Sequence, residues 1–116
     1  MNSPTSRSLA HLRKLGFTVG ITEKWNPYAH IRQDLFGCID MVAIKKDVKG
    51  VLGIQTTSDT NIAHRVEKVL PMLSLWVWLS AENRFLIQGW GKKGKRGEVK
   101  KWQLREVEIK LSDLKK

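Results

Sequence analysis

The spacing of apolar residues divides the first third of the chain into a helix, a strand and a loop. Leucines recur at helical spacing after Ser3 and Pro4, which suit the N-cap and the first helical position, and Gly16 ends this helix. Residues 17–25 then alternate between apolar and polar, which predicts a strand. Residues 26–37 are predicted to form a loop, because Asn and Pro break the pattern at its start.

The middle of the chain predicts a hairpin of two central strands and then a helix. Apolar runs cover residues 39–44 and 51–57, and turn residues separate them. A helical pattern begins at Asn61 and continues to about Leu79, and Pro71 is expected to kink or reset it.

The last third predicts two strands, residues 84–90 and 101–109, joined by a basic, glycine-rich turn at residues 91–97. Residues 110–116 are expected to be a frayed basic tail or a short helical turn. The resulting order is α-β-β-β-α-β-β. It predicts an α/β fold with a mixed central sheet flanked by helices, formed by residues 1–116 as a single domain.

The charge of the chain changes this picture from a generic domain to a candidate polyanion-binding protein. Lys and Arg number 21 against 11 Asp and Glu, for a formal net charge of +10. Such a field attracts nucleic acid, although a solvated basic surface is the alternative. The only cysteine, Cys38, cannot form an internal disulfide. The first residues carry no apolar region typical of a signal peptide, and the longest apolar stretch, residues 70–79, is too short to span a bilayer. We therefore expect a cytoplasmic protein with no membrane partner.

Two polar residues interrupt the apolar runs of the predicted hairpin. Asp40 lies in the first run and Gln55 in the second, and antiparallel pairing brings them together with Thr56 beside them. Carboxylate, amide and carbonyl oxygens suit Mg²⁺ or Mn²⁺ and not zinc. Two alternatives remain: Asp40 and Gln55 bond each other, or Asp40 reaches water or an arginine at a strand end.

The element order and these residues resemble the PD-(D/E)XK nuclease superfamily, in particular its small Holliday-junction-resolvase-like branch. Residues 32–40 (RQDLFGCID) and 53–58 (GIQTTS) carry the resemblance. It implies a restriction-endonuclease-like domain and a metal-dependent hydrolysis of phosphodiester bonds in DNA, with branched or junction DNA as one candidate substrate.

Carried over by position, the resemblance assigns catalytic roles to Asp40 as the motif aspartate and to Gln55 as the second acid. Thr57 stands where the motif has its lysine. Gln55 is neutral and Thr57 cannot carry a positive charge, so both depart from the motif. The cation that replaces the lysine is left open among four residues: Lys24, Arg32, His64 and Arg65.

Glu23 and Asp34 are the available substitutes for an acid that the first helix lacks. With Asp40 and Gln55 they can complete a site for one or two metal ions. The alternatives are that Glu23 faces solvent and pairs with Lys24 or Arg32, and that Asp34 bonds its own loop backbone.

Six basic residues are candidate phosphate contacts. Two of them are Arg32 and Arg65, and four belong to the predicted turn: Lys92, Lys93, Lys95 and Arg96. Trp90 and Trp102 flank that turn, where each either packs in the core or stacks on an unpaired base.

The main hypothesis is thus a metal-dependent endonuclease acting on DNA. The alternative is a catalytically inactive nucleic-acid-binding module with the same fold, and a third hypothesis is a basic structural protein of a larger assembly. The apolar segment 73–79 is interpreted as core, or else as half of a homodimer interface.

Overall fold

The computed structural model describes residues 3–114; residues 1, 2, 115 and 116, including the end of the predicted tail, lie outside the described residues. The helices are α1 (Pro4–Lys14), α2 (Ile62–Val69) and α3 (Leu73–Ser80). The strands are β1 (Thr18–Ile21), β2 (Lys24–Asn26), β3 (Ile31–Gln33), β4 (Met41–Ile44), β5 (Leu52–Ser58), β6 (Arg84–Lys93) and β7 (Lys101–Ile109). Two 3-10 turns, Asp59–Asn61 and Leu111–Asp113, complete the described part.

The central sheet is mixed, as the sequence predicted. Its strand order is β1-β4-β5-β6-β7, and β5 and β6 are parallel whereas the other neighbours are antiparallel. The parallel pair requires a crossover connection, and α2 and α3 supply it. Strands β2 and β3 form a separate two-stranded hairpin.

Helices cover both faces of the sheet, and each face has its own hydrophobic core. On one face, Leu12 of α1 packs with buried residues of β4, β5 and β6: Met41, Ala43, Leu52, Ile54 and Leu86. On the other face, α2 and α3 pack on β6 and β7 through Ile62, Val69, Leu75, Leu79, Phe85, Ile87 and Ile109. Alternate residues of β5 therefore point to different helices.

Helix α1 begins and ends where the sequence predicts. The Ser6 N–H donates to Ser3 Oγ at 3.1 Å and the Ser3 N–H donates to Ser6 Oγ at 2.9 Å, so the two serines cap the first turn reciprocally. Gly16 follows the helix with a φ of +96°, a conformation that glycine adopts without strain.

The predicted strand over residues 17–25 is wrong in its second half. The ladder of β1 with β4 ends at Ile21, because the N–H groups of Thr22 and Glu23 both donate to the Asp40 carbonyl. Two donors on one acceptor make a local bulge, so the chain turns out of the sheet. It forms β2, whose partner β3 lies in the segment predicted to be a loop.

The predicted helix over residues 61–79 is two helices. Proline has no N–H, so Pro71 cannot continue the hydrogen bonds of α2, and Met72 takes an extended conformation before α3 starts. Helix α3 buries Leu75 and Leu79, which confirms the core interpretation for those two positions. Its outer side leaves three apolar residues exposed: Leu73, Trp76 and Val77.

Strand β6 extends into the predicted turn. Gly91 lies inside the strand, where a Cβ would collide with the Asp59 carboxylate. The glycine therefore allows the strand to approach Asp59 closely and does not form a turn. Lys92 and Lys93 therefore belong to β6, and the turn itself covers residues 94–100. The short-turn interpretation of the C-terminal segment is confirmed by the 3-10 turn at Leu111–Asp113.

Candidate metal centre

Three carboxylates meet at one end of the sheet. Glu23 lies between β1 and β2, Asp34 follows β3, and Asp40 directly precedes β4. One carboxylate oxygen from each lies within 4.8 Å of those of the other two. The structure thus brings together three of the acids proposed from sequence.

The backbone explains this meeting. In the β2–β3 hairpin Lys24 pairs with Gln33, so Glu23 and Asp34 stand at the next positions outward along the same two strands. Asp40 is fixed from both sides, since its N–H donates to the Ile54 carbonyl at 2.8 Å and its carbonyl accepts from Glu23 at 3.2 Å. The small hairpin that the sequence did not predict is therefore the element that delivers two of the acids.

Asp40 is the most buried of the three, with 5% of its surface exposed. Its Oδ2 accepts hydrogen bonds from the Thr56 N–H at 2.8 Å and the Thr56 hydroxyl at 3.3 Å. Burial raises the pKa of Asp40 to about 7, with further contributions from a hydrogen bond with Asp34 and from the charges of Asp34 and Glu23. The hydrogen bond from the Thr56 N–H lowers the pKa of Asp40. A proton is therefore retained within this cluster near neutral pH.

The acids line an open cavity of about 270 Å³. Its other walls come from the first turn of α1, from β5 and from α2, through Pro4, Thr5, Thr56 and Arg65. The hydroxyls of Thr5 and Thr56 share a hydrogen bond of 3.0 Å, which ties the start of α1 to the site. Because a helix N-terminus carries partial positive charge, α1 favours anions here.

Gln55 and Thr57, the other two residues that the resemblance assigned, are buried and do not line this cavity. In β5 they alternate with Thr56 and so point to the face covered by α2 and α3. The Gln55 Oε1 is buried and has no hydrogen-bond partner within the described residues, and Asp40 bonds Thr56 and not Gln55. The roles of Gln55 as metal ligand and of Thr57 at the lysine position remain predictions.

Arg65 is the cation, among the four candidates for the missing lysine, that the structure places in the cavity wall. Its Nε is buried without a hydrogen-bond partner in residues 3–114. Arg32 forms an ion pair with Glu23 at 3.1 Å, as one sequence alternative held, and it remains mostly exposed. Lys24 and His64 are exposed and are not among the lining residues.

A second groove borders the acids. It is lined by Arg32, Gln33, Asp34, Gly37 and Lys68, and it shares Asp34 with the acidic cavity. Lys68 was missed by the sequence reasoning because its only sequence signal was helical spacing from Arg65, an ordinary feature of a solvated helix face. Thr5 was missed as well, since nothing in the sequence links the first helix to β5.

The β6–β7 hairpin carries the remaining predicted cations. Lys92 and Lys93 lie at the end of β6, and Lys95 and Arg96 lie in the exposed turn. Lys93 pairs with Asp59 at 3.4 Å. Since β5 and β6 are parallel and Thr56 pairs with Gln88, the hairpin projects from the same end of the sheet that holds the cavity.

The residues of the cavity fit a hard divalent cation. Three carboxylates supply oxygen ligands of the kind Mg²⁺ and Mn²⁺ prefer, and no sulfur or imidazole ligand accompanies them among the described residues. Cys38 is buried nearby, and burial with the charges of Asp34 and Asp40 raises its pKa to about 11, so its thiol stays protonated.

Comparison of the chain with protein-family models, with curated proteins and with solved structures finds no match. The nuclease resemblance therefore rests on the residues of this chain alone. Among the described residues, no helix has both the length and the apolar character needed to cross a membrane.

Proposed function

We propose that this protein is a metal-dependent endonuclease that hydrolyses phosphodiester bonds in DNA. The observation that carries the proposal is the group of three carboxylates, Glu23, Asp34 and Asp40, within 4.8 Å of one another in an open cavity. Paired carboxylates of this kind hold the metal ions of many nucleases. A restriction-endonuclease-like fold and a cytoplasmic location belong to the same proposal.

The surrounding charge supports a polyanionic substrate. The chain has a formal net charge of +10, yet three of its 11 acidic residues gather in one cavity. With those acids neutralised by a divalent cation, the Arg65 guanidinium and the start of α1 would contact a phosphate of the substrate. Lysine and arginine side chains of the β6–β7 hairpin would add further contacts to the substrate phosphates.

The chemistry divides between the cation and the side chains. A bound Mg²⁺ or Mn²⁺ supplies polarisation of the scissile phosphate and a lowered pKa for its bound water. Glu23, Asp34 and Asp40 would hold the cation, and the Thr56 N–H orients the Asp40 carboxylate. Arg65, in the cavity wall, would stabilise negative charge on the phosphate.

The second candidate function is a nucleic-acid-binding module without catalysis. Gln55 and Thr57 favour it, because they replace an acid and a lysine and lie outside the cavity lining. In that case the basic surface remains and the acids hold no cation that is competent for cleavage.

Cleavage of labelled linear, flapped and four-way-junction DNA in Mg²⁺ or Mn²⁺ tests the proposal. We expect the native protein to cut at least one substrate and Asp40→Asn to cut none above background. Asp47→Asn is the matched control, since Asp47 is exposed in the turn after β4 at the opposite end of the sheet. Binding without cleavage by the native protein in both metals would establish the binding module instead.

A further inference from the structure

Trp102 is a large aromatic side chain left partly open on a basic surface. It lies near the start of β7 with 46% of its surface exposed. The Arg7 guanidinium lies 3.5 Å from its ring centroid, and Lys92 Nζ lies 5.9 Å away. Two cations thus flank a ring that the core does not enclose.

The other tryptophan beside the turn has a different role. Trp90 is half-buried and its Nε1 donates to the Ser8 hydroxyl of α1 at 2.8 Å. That bond satisfies the indole N–H and fixes α1 to β6. Packing therefore explains Trp90, whereas Trp102 contacts Arg7 through its ring and still keeps 46% of its surface exposed.

The sheet register places Trp102 on the route to the acidic cavity. Thr56 pairs with Gln88 of β6, and Lys92, four positions further along β6, pairs with Trp102. An even separation puts these side chains on the same face of the sheet, the face that α1 covers. At about 3.3 Å per residue, Trp102 lies roughly 13 Å beyond the level of the cavity along the strand.

The β6–β7 hairpin carries cations that can contact a ligand near Trp102. Lys92, Lys95 and Arg96 form no ion pair with any residue of the described part of the chain, whereas Lys93 is paired with Asp59. Exposed lysines and arginines on a strand and a turn contact phosphates without reading bases. An aromatic ring beside such a track is the arrangement that binds single strands, because every base has a face that can stack.

We propose that Trp102 and the β6–β7 hairpin bind an unpaired segment of DNA and direct it to the acidic cavity. This inference rests on the proposed function for the role of the cavity and goes beyond it by naming the substrate as DNA with a single-stranded segment. In a duplex the base faces are already stacked, so Trp102 gains nothing there, and only the lysines and arginines contribute.

Direct binding without cleavage tests the inference. Affinity is measured in EDTA for an oligothymidylate of about 16 nucleotides, near the upper range of common single-strand site sizes, and for a duplex of the same length. We expect Trp102→Leu to weaken oligothymidylate binding about tenfold and duplex binding less than about twofold, since stacking contributes at that level only to unpaired bases. Trp102→Phe keeps a stacking ring and should bind within about threefold of the native protein.

Trp76→Leu is the matched control, because Trp76 is exposed to a similar extent on α3. It should leave both affinities unchanged. Equal losses for single strand and duplex in Trp102→Leu, or no loss at all, would overturn the inference, and tighter binding of an oligouridylate would overturn the choice of DNA.

The two proposals fail in different ways. Trp102-dependent binding without cleavage in Mg²⁺ or Mn²⁺ would refute the nuclease and keep the single-strand surface. Cleavage of linear duplex and flapped DNA at equal rates, unchanged by Trp102→Leu, would refute the single-strand surface and keep the nuclease.

Discussion

At the scale of single residues, the Asp40 carboxyl links protonation to folding. Its pKa is about 7 in the folded protein against an ordinary value of 3.8, because it is buried and bonded to Asp34. The folded state therefore binds the extra proton between these two pH values. The resulting stabilisation is fully present below the ordinary pKa and is lost as pH rises through about 7.

We accordingly expect Asp40→Asn to flatten the pH dependence of stability. The amide keeps an acceptor for the Thr56 N–H and carries no charge. Urea unfolding at about pH 5 and about pH 8 should show a smaller decrease in free energy of unfolding in the variant, with a difference of at most about 3 kcal/mol. Asp47→Asn should show the same pH dependence of stability as the native protein. If stability falls between the two pH values as much in Asp40→Asn as in the native protein, the raised pKa does not belong to Asp40.

Metal binding should depend on the same proton. A cation and a proton compete for the acids, so Mg²⁺ affinity rises as pH passes through about 7. We expect excess Mg²⁺ to raise the thermal midpoint of the native protein more at about pH 8 than at about pH 6, by a few degrees. Asp34→Asn should lose most of this increase, and an equal increase at both pH values would argue against binding at these acids.

The sequence predicted the acids better than it predicted their arrangement. Glu23, Asp34 and Asp40 were identified as residue types that suit a metal, and they do meet. Gln55 was chosen because it stands across the hairpin from Asp40, but strand alternation turns it toward the other helices. The Asp40 carboxylate instead bonds the Thr56 N–H, a contact that the sequence pattern does not indicate.

At the scale of elements, hydrophobic periodicity found each strand of the central sheet and the first helix. It missed the β2–β3 hairpin because three-residue strands with exposed side chains lack an apolar pattern. The sequence pattern also ended β6 too early, because Gly91 resembles a turn residue. In the structure this glycine lies inside the strand and allows a close approach to Asp59. Pro71 was recognised correctly as a disruption, and the structure shows that it separates two helices.

The β6–β7 hairpin is the element whose charge should govern affinity for nucleic acid. Lys95→Ala with Arg96→Ala removes two exposed cations from its turn. Each lost phosphate contact lowers the slope of log affinity against log salt by about 0.9 for duplex DNA, so we expect a decrease of up to about 1.8. A salt titration by fluorescence anisotropy measures this slope.

A charge-matched control separates this local effect from net charge. Lys14→Ala with Lys46→Ala also removes two exposed cations, but these lie at the end of α1 and after β4, at the opposite end of the sheet from the cavity. That variant should keep the native slope. Equal decreases in the two double variants would mean that the overall field of the protein, and not the hairpin, attracts the DNA.

At the scale of the whole molecule, the mixed sheet determines how the two candidate surfaces are related. The parallel pairing of β5 with β6 brings Thr56, in the cavity wall, and the basic hairpin to one end of the five-stranded sheet. Residues on rigid, paired strands keep their separation more accurately than residues on loops. The distance of roughly 13 Å between the levels of Trp102 and Thr56 should therefore set a fixed spacing on the substrate.

This fixed spacing predicts where a flapped DNA is cut. When the junction between single and double strand is moved along the sequence, the cut should move with it and stay at a constant distance, within about one nucleotide, if Trp102 holds the unpaired segment. Sequencing-gel mapping on a series of labelled flaps measures the distance, and Trp102→Leu should broaden the distribution while Trp76→Leu leaves it narrow. Cuts that follow particular base sequences and ignore the junction would show that base contacts, and not the sheet geometry, position the strand.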